Sequence, residues 1–499
     1  MIWWIARREL LEHVRSSRFV SLSLLAVLML PATAYVGVSR FRDRERFAQE
    51  LDDASALATE TVPGDGNNGA SRFGWRSGAV QQDPALRAIR HPRAEEVFAD
   101  GRSGAMPVYW QFSTEGSAEG PPASAGEQRT LGADSLDVAI VIETVLGLLA
   151  LLVAFDAMSG ELETGRMRTI LAHPVSRAAV LVGKFVGAII TLSLPLCVGM
   201  GAAYGVFWLR DMPALEARFV ATACAVVLIA LLYLGAMLAL GMAVSALTRE
   251  SRTSLVTLLV IWIGISVAVP RGAMLIAATV RPIEPVELMR ASIRQHIAHL
   301  ERERARQLAS AWEEVSGTRD VPADGSIAPD VRAAYSLRQH AIEQRLAIRK
   351  RQIIGDLQDA RERDRAEQVA LATTLGRLSP SVVMRLAVSA VASTGRDEED
   401  LWREEVKREQ RALEGATFDQ THGMELFASN LGFLRMTFWP DNSDVADRVP
   451  DYRALPVLVH QRDGLAAATT RMVPEAAILA LESVSFITIA GLAFSRLDA

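Results

Sequence analysis

The sequence predicts an all-α polytopic membrane protein: six transmembrane helices with a mainly helical extracytoplasmic domain. Three observations predict it. Half of the 499 residues are hydrophobic while 22% are charged, and the two populations are segregated along the chain rather than mixed. Six apolar runs reach the roughly 20 residues needed to cross a bilayer. The longest polar stretch carries apolar residues at helical spacing. The net charge of −5 is small for this length and gives no reason to expect nucleic acid as a partner. Both cysteines, Cys197 and Cys224, lie in apolar runs, so no disulfide framework can staple the polar parts.

Residues 1–18 form a basic helix (IARRELLEHVRSSR) ahead of a charge-free first span, residues 19–38. Arg7, Arg8, Arg15 and Arg18 with Ala32-Thr33-Ala34 also resemble a cleaved signal peptide, but the polar stretch is long and the apolar run continues past Ala34. Residues 39–134 make a first insertion. Residues 135–280 hold spans two to five, near Leu136–Phe155, Val180–Leu209, Phe219–Thr248 and Thr253–Val280, the last interrupted by Pro270 and Arg271. Residues 281–473 make a second insertion, and residues 474–499 hold the sixth span, near Ala476–Ser495, with a short tail.

Lys and Arg in the short loops set the orientation. The N-terminal arginines, Arg166, Arg168, Arg177 and Lys184, then Arg249, Arg252 and Arg496 all fall on one side if there are six spans. Both termini are then cytoplasmic, the protein is a multi-pass protein of a bacterial inner membrane, and both insertions lie outside.

The first insertion begins as a charged helix and passes through TVPGDGNNGAS and EGSAEGPPASAGE, which have loop composition. In the second, Val286, Met289, Ile293, Ile297 and Leu300, and then Tyr335, Ile342, Leu346, Ile353 and Leu357, follow spacings of three, four and seven. The breaker-rich SGTRDVPADGSIAPD between them predicts an antiparallel helical hairpin. RLSPSVVMRLAVSAVASTG is too short to span; it reads equally as a helix lying on the outer surface or as a buried core helix.

No GxxxxGK[ST] phosphate loop occurs, since Gly183-Lys184 lacks the upstream glycine and is followed by Phe185. His296 and His299 sit at i, i+3 without HExxH or nearby cysteines and read as solvated helix-face residues, so no metal site is expected. No nucleophile elbow is recognisable, and the chain is not expected to be an enzyme.

The most specific pattern is FDAMSGELETGRMRTILAHPVSRAAVLVGKFVG, at the cytoplasmic end of span two. It reads as a short carboxylate-rich helix (Asp156, Glu161, Glu163), then Gly165, Arg168, Pro174 and Arg177, held between two spans. This stretch resembles the signature of ABC-2-type transporter permeases, in which D-x-x-S/A-G-E-x-E-x-G-T-L-R continues to P-x-S-R and G-K. Asp156, Ser159, Gly160, Glu161, Glu163, Gly165, Arg168, Pro174, Ser176, Arg177, Gly183 and Lys184 match, while Arg166-Met167 replaces the family's Thr-Leu. The resemblance implies that segment 156–178 contains the coupling helix that docks on an ATPase subunit. It also implies that the N-terminal basic helix is the family's elbow. RLSPSVVMRLAVSAVASTG and VPDYRALP are similar to features of the subgroup with large extracytoplasmic insertions after the first and fifth spans.

The implied function is the permease subunit of an ABC-type exporter, its substrate unspecified. It would hold no cofactor, ATP being bound by a separate ABC ATPase, and would pair with a second permease copy or a paralogue in the lipid bilayer. Force transmission to a periplasmic partner and a membrane-anchored sensor or scaffold are the alternatives. Glu143 in span two, Glu482 in span six and Arg271 near the outer end of span five form a possible intramembrane polar site. Both carboxylates are expected roughly 10–12 Å below the outer surface, and Arg271 either pairs with one of them or snorkels outward.

Overall fold

In the computed structural model, residues 2–60, 87–101, 106–112, 118–119, 136–166, 176–213, 215–319, 327–421 and 464–496 are described. Helix α1 (Ile2–Val14) precedes α2 (Ser17–Glu60). Helix α3 covers residues 138–154, with Ile142–Leu146 in π geometry, and α4 (Ser159–Glu163) follows it. Then come α5 (Arg177–Leu209), α6 (Ala217–Leu247) and α7 (Ser251–Val280), the last with a second π turn at Gly264–Ala268. The remaining helices are α8 (Val286–Ser316), α9 (Pro329–Gly376), α10 (Pro380–Val391), α11 (Arg396–Thr421) and α12 (Leu465–Ser495). Six helical stretches are long and apolar enough to cross a membrane: α2, the α3–α4 stretch, α5, α6, α7 and α12. The protein is a multi-pass membrane protein.

Two elements run further than the hydropathy alone suggests. α2 continues unbroken past the first span, because RFRDRERFAQELDDASAL contains no breaker and helix costs nothing extra once nucleated. α12 begins at Leu465, so Pro474 lies inside it and the polar Arg471 and Glu475 precede the apolar run. Three short strands add a small antiparallel sheet, β1 (Arg87–Ile89), β2 (Tyr109–Phe112) and β3 (Ala118–Glu119), with Ala88 opposite Trp110 and Gln111 opposite Glu119. They fall in a stretch whose mixed composition carries no clear period.

The core is the bundle interior. α3 and α6 are its most enclosed helices, and Tyr233, Leu234, Met237 and Leu238 have no exposed surface. Small residues let the helices approach: a Cβ at Gly241 would lie 2.4 Å from Ala154 Cβ, and one at Gly187 would lie 2.8 Å from the backbone of Ala6. At the end of the bundle carrying the α5–α6 turn, Phe98 packs between Phe207 and Phe219, with ring centroids 5.3 and 5.0 Å away. Arg218 bonds Glu95 at 2.9 Å, and Arg44 bonds Asp100 at 2.8 Å and Glu96 at 3.1 Å. These contacts clamp residues 93–100 of the first insertion onto the bundle.

α8 and α9 form the antiparallel hairpin. Leu300, Ala311, Ile342 and Leu346 fill its seam, and Trp312 stacks edge-on against Tyr335 at 5.3 Å. Gly317, at φ +74, closes α8 in the left-handed conformation that a side chain disfavours. α10 is buried against α6, α12 and the π turn of α7, which selects the core-helix reading over a helix lying flat at the surface.

Phe98→Ala removes a fully buried ring from that aromatic contact and should cost about 3–5 kcal/mol. Thermal unfolding of the detergent-solubilised protein measures it.

Candidate functional site

Chain geometry brings the conspicuous charged residues together at one end of the bundle, which holds α1, α4, the starts of α5 and α7 and the ends of α6 and α12. The α3 helix ends where the Phe155 carbonyl takes bonds from Ser159 Oγ and Ser245 Oγ, each 2.9 Å away. Ser245 Oγ in turn lies 3.1 Å from the Met158 and Ser159 amides and satisfies the first donors of α4. A serine on α6 therefore fixes the sharp step from α3 into the short helix.

From α4, Glu161 points inward. Its Oε1 lies 2.9 Å from Lys184 Nζ on α5, and the same ammonium lies 2.8 Å from Glu9 Oε1 on α1. All three groups are buried, Lys184 being 4% exposed. The cation is thus shared between two carboxylates from two other helices, and it binds the elbow, the short helix and the base of a span into one unit. Two charge-assisted bonds oppose the desolvation cost of the buried ammonium. His13 extends the cluster from Glu9 at 3.6 Å. Burial pushes its imidazole below the usual value, outweighing the pull of Glu9 and Asp156.

Other residues of the pattern have local duties. Glu163 accepts from the Ser251 amide at 3.2 Å and from Ser251 Oγ at 2.9 Å, capping the start of α7 from across the turn. Gly160 lies close to Asp156 and Ser251, so a Cβ there would sit 3.2 Å from Asp156 Cβ. Gly165, at φ +71, supplies the left-handed residue that stops α4. Arg177 donates to the Phe494 and Ser495 carbonyls at 3.0 and 2.8 Å, satisfying the open C-terminal end of α12. Asp156 is exposed. Arg168 and Pro174 lie outside the described residues, as does VPDYRALP.

Glu161 faces the protein interior, so a charge reversal there would set a second cation against Lys184. The role of Lys184 was legible only as the G-K of the motif, and that of Glu9 not at all, because the contact spans 175 residues.

A family profile for ABC-2 family transporter proteins matches residues 3–496. The chain belongs to the ABC-2 transporter family. A 59-residue stretch is 42% identical to the probable ABC transporter permease protein NosY of Stutzerimonas stutzeri, covering 12% of this chain and 21% of that protein. Over 119 residues it is 34% identical to the probable ABC transporter permease protein NosY of Pseudomonas aeruginosa, covering 24% of this chain and 43% of that one. The chain spans less than half the length of the curated relatives it matches. Within this ABC-2 protein, Glu161 and Lys184 of the node are signature positions, and Glu9 joins them from α1.

The intramembrane charges do not converge. Glu143 pairs with Arg385 of α10 at 2.9 Å, not with Arg271. The arginine was missed because it comes from the second insertion, 242 positions away in the chain. Glu482 is partly buried, with Oε2 making no hydrogen bond among the described residues. It lies about 9 Å along α12 from the start of the apolar run at Ala476, much as Glu143 lies about 8 Å from the start of α3. Arg271 is exposed.

Lys184→Met removes the central cation from the buried Glu9 and Glu161, leaving Glu161 only Arg8 at 3.9 Å, and should destabilise the protein by about 3–5 kcal/mol. The loss should appear first as faster amide exchange in α1, since α1 packs on α5 and Lys184 supplies the ion pair at that interface. The triple variant Lys184→Met/Glu9→Gln/Glu161→Gln, which removes all three charges, should recover part of that stability.

Proposed function

We propose that this ABC-2 family member is the membrane-spanning permease subunit of an ABC-type exporter, with ATP hydrolysed by a separate ATPase subunit. The observation that carries the reading is the node itself. A soluble partner pressing on α1 or α4 pushes through Lys184 on the foot of α5, so a displacement at the surface becomes a displacement of a span. The exposed rim of Asp156, Glu163 and Arg166, continued by Arg8 and Glu12 of α1, offers mixed charge to such a partner. The chain contributes no phosphate-cradling loop, so ATP and its hydrolysis belong to the partner. In this reading the protein sits in a bacterial inner membrane with both termini and the node in the cytoplasm. It works with a second copy or a paralogue so that two permease halves stand over two ATPases.

A second reading, transmission of force to an extracytoplasmic partner, draws on the α8–α9 hairpin. Its long charged surface projects from the bundle while its downstream helix α10 returns into the core. Both readings share the ATPase and the node; they differ in whether anything crosses the spans.

Reporter fusions after Ala70 and Asp320 should register outside and those after Thr169 and Ser251 inside; an inside signal at Asp320 would overturn the orientation.

ATPase recruitment tests the exposed rim beside the node. Glu163→Lys, on the exposed rim, should weaken capture of the ATPase about tenfold or more in a pull-down at equal expression. Glu303→Lys on the hairpin should leave capture unchanged. Equal capture by wild type and Glu163→Lys would make the segment an ordinary loop.

A further inference from the structure

One helix of the second insertion re-enters the bundle and meets both of its irregular turns. In α10, Val383, Met384, Ala387, Val388 and Val391 have no exposed surface. Ser379, just ahead of it, donates to the Ile265 carbonyl at 2.9 Å. Ser381 Oγ lies 3.2 Å from Ser266 Oγ and 3.4 Å from the Tyr233 hydroxyl. That tyrosine donates to the Glu143 carbonyl at 2.9 Å, and Arg385 Nε lies 2.9 Å from Glu143 Oε2. Ile265 and Ser266 belong to the π turn of α7 and Glu143 to the π turn of α3; no other π turn occurs among the described residues.

A π turn is a local exception inside an α-helix and persists where surrounding contacts hold it. Here side-chain polar contacts on both turns come from α10, with Ser379 just ahead of it, and from Tyr233, while α2 packs its apolar face on the first turn. We propose that α10 is a two-state latch that ties the extracytoplasmic segment to spans α3 and α7. With α10 seated, both π turns are held. With α10 withdrawn, the Ile265 carbonyl loses the Ser379 hydroxyl and Glu143 loses its cation, and the turns relax toward α geometry. Losing one residue of register rotates the helix beyond it by about 100° relative to the rest. Glu143 is 3% exposed, so its carboxylate is not left in place without Arg385 at small cost. The transition is therefore between two packed arrangements rather than a continuous slide. The coupling runs both ways: a displacement of α3 or α7 driven from the opposite end unseats α10, and a load on the α8–α9 hairpin reaches the turns through the α9–α10 junction.

The latch rests on the permease reading only for what drives it, and two measurements keep the two apart. The first uses the full chain alone in nanodiscs. Ser379→Ala and Tyr233→Phe, singly and together, should speed amide exchange at residues 142–146 and 264–268 by about tenfold while the α8–α9 hairpin keeps its rates. Unchanged exchange at both turns in the double variant would overturn the latch. The second pairs Ser266→Cys with Ser381→Cys after Cys197→Ser and Cys224→Ser. Oxidation should cross-link the pair and lower ATP turnover of the ATPase-bound complex by about fivefold, reversibly on reduction and without releasing the ATPase. A pair that does not cross-link, or a cross-linked complex that turns over at the full rate, also overturns it. A wild-type chain that captures no ATPase refutes the permease reading instead, and the exchange measurement still decides the latch.

Discussion

A charge inside a hydrophobic bundle must bring its partner with it, and that requirement organises this molecule. At one end, Lys184 is a buried ammonium and draws in Glu9 from α1 and Glu161 from α4. At the opposite end, Glu143 is a buried carboxylate and draws in Arg385 from α10. Neither pair forms between neighbours in sequence. Each pulls a peripheral helix onto a span, and the cost of leaving either charge alone keeps that helix docked. Between the two sites the bundle packs mainly through apolar contacts, with Gly241 against Ala154 and the buried face of α6, and Glu482 of α12 is a partly buried carboxylate there.

Local chemistry was legible in the sequence, and pairing between distant segments was not. Apolar runs of sufficient length with few charges announce the spans because lipid admits few alternatives. The short helix α4 showed itself through the glycine that stops it and its dense carboxylates. The hairpin followed from spacings of three, four and seven, and Leu300, Tyr335, Ile342, Leu346 and Ile353 indeed meet in its seam. The direction in which a side chain points was hidden. Glu161 and Glu163 look alike in sequence, yet one faces Lys184 and the other caps α7. The π turns have no compositional sign, and a helix as short as α10 has an apolar face that suits a membrane surface and a protein core equally. Only the placement of Ser379, Ser381 and Arg385 against spans from other parts of the chain decides between them.

The two insertions, separate in sequence, are joined in space. Arg93 of the first lies 3.6 Å from Glu398 on α11 of the second, both nearly fully buried. Arg218, at the start of α6, reaches Glu95 on one side and Ser393 on the other, at 2.9 and 3.2 Å. Gly101, at φ +50, lies so close to Thr394 that a Cβ would stand 2.6 Å from its carbonyl oxygen. The described parts of the insertions thus form a common layer seated on the bundle, and α10 is its root. Any motion of that layer loads α3, α6 and α7 together.

Arg271 shows how the same requirement is met without a side-chain partner among the described residues. It lies about 30 Å along α7 from Ser251, a distance equal to the thickness of the hydrocarbon core. If α7 enters the bilayer at the end that carries Glu163, it leaves near Arg271, where a flexible guanidinium reaches headgroups and water. The apolar residues before it, Val256, Leu259, Val260 and Ile263, are exposed on the isolated chain and match lipid or a second apolar helix equally well. Glu143 has no such exit, being enclosed by α6 and α10. Depth and enclosure together therefore decide which intramembrane charge recruits a helix and which one merely marks where a span ends.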